Sequence, residues 1–317
     1  MAEEEKEMRV ELSNLLTRMR IMAILTVVAY HAACPYIAWC WQPDGGENYD
    51  FHFISDVYHF LFLQLLDTTM LPSFFLISGT LFYARKEAYA NRLATFWKKF
   101  DRLMVPYAII GVLAALWNLP QIGIAGASGH LWFLETLFTF FVLSLLAFHI
   151  NERFMLAIGF AGFLIYSFQS KLGVILPPFI SYLLHYYLFF VGGWFVNVFF
   201  DKMLYRRKKL GVAVILVWLG ALILGLQTIY HLTFCVMLVC ILPLTAVKNK
   251  LCLLINKYSF SIYLVHHLLI FALFPLLPFQ WLYLNQPFVA IPTMFLSLML
   301  LSFGVGVLLN RVGFKYF

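Results

Sequence analysis

Arg20 and His31 are the residues around which a chemical reading of this sequence forms. The segment RIMAILTVVAYH places ten residues between them. Eleven helical positions advance by about 1,100°, within about 20° of a whole number of turns, so in a helix both side chains share one face about 16 Å apart along the axis. A guanidinium is a permanent cation suited to phosphate, and an imidazole, titrating ordinarily near ~6.5, is the side chain best suited to move a proton. The residues between them are apolar, so the imidazole stands within an apolar span and the cation at its edge. Ionisable groups at that depth are costly and count as functional candidates. Taken singly, each has a plainer reading: Arg20 as the snorkelling end of a span, His31 as a hydrogen-bonding residue in helix packing.

The elements that must position this pair are legible in the composition. Of 317 residues, 63% are apolar and only 12% charged, whereas a soluble domain carries about 25% charged residues. Apolar runs near 20–39, 69–84, 103–119, 131–148, 154–169, 181–200, 210–227, 231–247, 258–276 and 288–310 have lengths suited to roughly 30 Å of hydrocarbon. The expected architecture is therefore all-α: a polytopic transmembrane bundle of about ten spans. It has a cytosolic N-terminal arm over 1–19, the transmembrane domain over 20–310 and a cytosolic tail over 311–317. The stretch 51–66, interrupted by Asp56 and His59, reads either as an interfacial helix or as an extension of the second span bent at Pro72.

Charge sorting orients the bundle. Of the 22 Lys and Arg, 21 fall on the side of the N-terminal arm, the exception being Lys171, which predicts that both termini are cytosolic. The longest loop of the opposite side, with the segment after it, holds Asp44, Glu47, Asp50, Asp56 and Asp67 and no Lys or Arg. The net charge of +7 is thus topogenic; the partner it implies is membrane lipid, not nucleic acid. The first run lacks a small-residue cleavage site and reads as a retained span. The five Cys are scattered and read as small apolar fillers, although Cys34 and Cys40 lie near one membrane face and could pair if that face is oxidising.

RIMAILTVVAYH resembles the Arg-x10-His signature of the membrane acyltransferase-3 family. MLPSFFLISGTLFYARK resembles that family's second-span block, KKFDRLMVPY its basic loop entering the third span, and HLWFLETLF its His-Leu-Trp-Phe-Leu block. YYLFFVGGWFV resembles its aromatic-Gly-Trp block and YSFSIYLVHH its Ser-x-Ile-Tyr-Leu-x-His block. These fall in the family's order over about residues 15–270. Where some subfamilies carry Arg-x-x-Arg after the Ser-Gly pair, this chain has Arg85, Lys86 and then Ala88. No esterase-like domain follows the last span, so the resemblance is to the stand-alone, fucose 4-O-acetylase-like members.

The resemblance implies an O-acyltransferase, with acetyl-CoA as donor and a sugar or glycolipid hydroxyl across the membrane as acceptor. An alcohol is a poor nucleophile near neutral pH, so the transfer needs a base, and His31 suits that role, with Glu135 the first choice as its intramembrane partner. Donor phosphates would meet a cytosolic collar of Arg20, Arg85, Lys86, Arg92, Lys98, Lys99 and Arg102; Ser78 with Gly79 reads either as a close helix–helix contact or as part of the donor channel. On the acceptor side stand Asp67, His130, Trp132 and His266, together with Trp39, Trp41 and Tyr49, although such aromatics are also what an interfacial belt contains. His266 and His267 are adjacent, so their side chains diverge by about 100° on a helix, no third ligand stands at useful spacing, and no metal is expected. A rival reading is an exporter of polysaccharide or lipid-linked sugar, which an acidic pathway through several spans would favour.

Overall fold

The computed structural model describes residues 2–33, 67–117, 121–122, 127–169, 171 and 173–314. Cys34, Trp39, Cys40, Trp41, Tyr49 and Asp56 lie outside the described residues. Asp67 opens a helix, but its side chain is likewise outside what is described.

Eleven α-helices occur among the described residues: α1 (Ala2–Ala32), α2 (Asp67–Tyr83), α3 (Arg92–Leu116), α4 (Trp132–Leu146), α5 (Glu152–Phe168), α6 (Pro178–Tyr205), α7 (Arg207–Ile223), α8 (Gln227–Ile241), α9 (Lys250–Leu273), α10 (Leu277–Asn285) and α11 (Pro287–Arg311). A 3₁₀ turn spans Lys86–Tyr89, and a two-residue antiparallel pair, Gln121–Ile122 with Ala127–Ser128, precedes α4. Several starts follow local chemistry. The Asn91 side chain accepts from Ala94 N, Asn151 from Arg153 N, and Asn249 from both Leu251 N and Cys252 N, which satisfies donors that a helix start leaves open.

Among the described residues three helices are long and apolar enough to cross a membrane: Glu7–Ala32, Pro178–Tyr205 and Pro287–Arg311. A fourth span forms if α9 and α10, which meet at 88°, are taken together. Apolar α2, α4 and α8 are shorter, 17, 15 and 15 residues. Large apolar side chains point outward around the bundle, Leu116, Leu146, Ile223 and Leu300 among them; such a surface is suited to lipid and not to water.

The arm and the first span are one helix of 31 residues: the arm's Glu, Lys, Met and Leu are strong helix formers, and no Pro or Gly interrupts them. Pro72 lies inside α2; the segment 51–66, expected as an interfacial helix or as an extension of the second span bent at Pro72, lies outside the described residues.

The centre of the fold is a backbone contact between α2 and α6. A Cβ on Gly79 would lie 1.8 Å from Phe190 O, and one on Gly193 2.1 Å from Thr80 N. Only glycine permits this approach. Asn197 on α6 donates across it to Thr80 O at 2.8 Å. Around the crossing, Phe75, Phe82, Phe140 and Phe190 are fully buried and meet edge-on or tilted. Against this core α1 packs on α2, α9 and α11, which fixes the face carrying Arg20 and His31.

Candidate functional site

Four imidazoles converge where α1, α9 and the turn before α4 meet. The ring centroid of His31 lies 4.9 Å from that of His266 and 5.2 Å from that of His267; His130 lies 5.3 Å from His266 and 4.6 Å from His267. His130, His266 and His267 are buried, and His31 keeps part of its surface exposed. Tyr263 Oη donates to the backbone carbonyl of His130, and His130 Nε2 lies 3.3 Å from Leu264 O, so the turn bearing His130 is tied to α9 at two points.

The neighbours of these nitrogens fix their proton positions. His266 Nδ1 lies 3.0 Å from Ile262 O and 2.7 Å from Tyr263 O. Carbonyl oxygens only accept, so Nδ1 carries the proton and Nε2 of the neutral ring carries the lone pair. That lone pair faces His31 Nδ1 at 3.2 Å, and Val27 O faces the same Nδ1 at 2.9 Å. Two acceptors hold the proton of His31 on Nδ1, leaving its Nε2 free to take a proton.

The group set against His31 is thus the His266 imidazole, where the sequence reading favoured Glu135. Glu135 is buried and accepts from the phenol of Tyr107 on α3. His266, expected among the acceptor contacts, is a partner of His31 itself. The gathering of His130 and His267 with this pair was not foreseen, because it depends on how α4 and α9 pack. The shared YSFSIYLVHH and HLWFLETLF blocks were its only sequence signal.

Below the imidazoles lies a cavity of about 990 Å³. Among the described residues its charged lining consists of Arg9, Arg20, Arg85, Lys99, Arg102 and Lys257, without a carboxylate. Arg20 donates to Asn256 Oδ1 at 3.2 Å, so α1 and α9 are joined at two rungs, Arg20 to Asn256 and His31 to His266. Lys99 is pushed down to about 8 by burial and then by the charges of Arg102, Lys98 and Arg85, although the faces of Phe141, at 3.9 Å, and Tyr89 lie against its ammonium. A cavity that crowds its cations this way favours a polyanion.

Ser78 lines the cavity wall, and Phe74, Phe133 and Tyr263 also line it. Tyr263 marks the imidazole end: its ring centroid is 5.5 Å from that of His130. Tyr263 is therefore shared by the cavity wall and the surroundings of His130.

Lys86 stands apart from the cavity. It is committed to Glu152 at the start of α5 at 2.5 Å, and it is absent from the cavity lining. Burial alone would raise the Glu152 carboxyl, but the Lys86 hydrogen bond brings it below the usual carboxylate range. Arg92 and Lys98 also lie off the lining. Trp132 stacks on Tyr182 with centroids 3.9 Å apart, beyond the imidazole end. Among the described residues no group of three or more His, Cys, Asp or Glu has the arrangement of a metal site.

Comparison with known families gives one match: the acyltransferase-3 family model, described as an acyltransferase domain, covers residues 15–311. No curated protein and no solved structure matches the chain.

Proposed function

The chain belongs to the acyltransferase-3 family and is a membrane acyltransferase, and from that premise we propose that it is a multi-pass O-acetyltransferase of the cytoplasmic membrane. It takes the acetyl group of cytosolic acetyl-CoA and gives it to a hydroxyl of a carbohydrate or glycolipid on the far side. The bundle has about ten spans with both termini in the cytosol. The observation that carries this reading is the cavity: about 990 Å³, lined among the described residues by six cations and no carboxylate, with Tyr263 shared between its wall and His130.

The diphosphate rests among Arg20, Arg85, Lys99 and Arg102. The pantetheine arm passes Ser78 toward His31, a climb of about 16 Å on the helix that bears both residues. His31 Nε2 takes the hydroxyl proton as the oxygen attacks the thioester carbon. The tetrahedral intermediate then expels the thiolate, which takes the same proton from the imidazolium; the C–O bond replaces the C–S bond and His31 returns neutral. His266 holds the reactive tautomer throughout. Trp132 and His130 are assigned to the acceptor side.

Replacing His31 with Ala tests the reading. Transfer from labelled acetyl-CoA should fall by about 10²- to 10⁴-fold, the usual contribution of a positioned base, while acetyl-CoA still binds. Full activity in that variant would end the proposal. Mass spectrometry of surface glycans and glycolipids with and without the gene identifies the acceptor by the mass of one acyl group.

A further inference from the structure

The α1 helix lines the cavity from Met8 onward, although residues before 15 lie outside the family match. Met8, Arg9, Leu12 and Ser13 line it, continuing the stripe of Leu16, Thr17 and Arg20. The stripe steps by four residues along one face, as a continuous helix requires. This part of α1 is docked: Asn14 Nδ2 donates to Leu244 O at 2.9 Å, Arg18 to Thr245 O at 3.0 Å, and Met8 and Leu12 pack against the core.

Along that helix Arg9, Arg20 and His31 recur every eleven residues. Each step is about 16 Å and leaves the side chains within about 20° of one another. The other lining cations gather at the middle level: Lys257 adjoins Asn256, the partner of Arg20, and Arg102 interacts with both Arg20 and Lys99, as Arg85 does with Lys99. Arg9 stands a further eleven residues toward the cavity's far end. A coenzyme A thioester has the same order along its length: reactive thioester, pantetheine, diphosphate, and then a ribose bearing a separate 3′-phosphate.

Resting on the donor reading above, we propose that Arg9 and the face around it form the subsite for the 3′-phosphate of the donor's nucleotide, so that the helix ahead of the family domain selects coenzyme A over thioesters lacking that phosphate. The full-length protein in nanodiscs tests this by equilibrium binding of coenzyme A and 3′-dephospho-coenzyme A. The wild type should prefer coenzyme A, and R9Q should weaken coenzyme A about tenfold, the size of one charge-assisted contact, without moving 3′-dephospho-coenzyme A. R9K should recover most of the loss. A uniform loss for both ligands, or no loss for either, would overturn the subsite. If the wild type binds neither nucleotide, the donor reading itself fails and the subsite with it; if it binds both equally, only the subsite is lost.

Discussion

His31 has two ring nitrogens with different surroundings, and its chemistry depends on the difference. Nδ1 is turned toward two acceptors, Val27 O and His266 Nε2, so Nε2 is the basic position. Removing the His266 lone pair lets the His31 ring exchange tautomers and turn its proton outward. His266→Phe keeps the ring and loses the acceptor; kcat should fall by about 10- to 100-fold, or ~1.4–2.7 kcal/mol in barrier, with little change in KM for acetyl-CoA. His266→Gln, whose amide oxygen can face Nδ1, should restore part of kcat. Equal losses in both variants would assign His266 a packing role only. Lys99 offers a second residue-scale test. Held near 8, it is charged below that pH and loses its charge as pH rises through it, so affinity for the donor's phosphates is greatest below about 8 and declines above. Bound phosphate favours the charged amine and draws the decline to higher pH. Titration calorimetry between pH 7 and 9.5 should show the decline in the wild type and its absence in Lys99→Arg; the same decline in both would remove Lys99 from the donor site.

The helices hold these groups through a few contacts that admit no extra atom. Gly79→Ala would set a methyl 1.8 Å from the Phe190 carbonyl oxygen, and the obstacle is backbone, so α2 and α6 must separate. Overpacking of this kind costs about 1–3 kcal/mol or more, and a clearly lowered melting temperature in detergent is expected. Gly220 on α7 has nothing within 4 Å of its would-be Cβ; alanine there should be neutral or stabilise by up to ~1 kcal/mol. Matching melting temperatures for the two variants would show that the α2–α6 crossing does not limit stability. The sequence motifs take on meaning here. The Ser-Gly and Gly-Gly-Trp blocks are legible as small-residue contacts, but that they contact each other is set by tertiary packing. The Arg20–His31 face was readable because it needs only the pitch of one helix. The partner of His31 was not, since His266 is 235 residues away, while Glu135, the first choice from the sequence, accepts from Tyr107. The place of Lys86 is set the same way: its neighbour Arg85 lines the cavity, but one step along the chain turns the ammonium to Glu152.

At the scale of the whole molecule the unequal division of charge becomes a direction of transfer. Cations are gathered on one side of the sequence-predicted topology, 21 of 22, and six of them line one cavity whose wall includes Tyr263, the neighbour of His130. On the other side the longest loop and the segment after it hold five acids and no Lys or Arg. On the proposed reading, a polyanionic donor is drawn to the first side and repelled by the second, and only its thioester end has to travel into the bundle. Acetyl-CoA added to inverted membrane vesicles should therefore label acceptor enclosed in the lumen, whereas acetyl-CoA outside right-side-out vesicles should give no label until the membrane is opened. Because the attraction is electrostatic, KM for acetyl-CoA should also rise with ionic strength between 50 and 500 mM salt, as the Debye length shortens from roughly 14 Å to about 4 Å, while kcat stays level. Labelling by external donor in sealed right-side-out vesicles would show that the cavity opens on the wrong side for this account, and a KM indifferent to salt would mean that its six cations do not hold the donor.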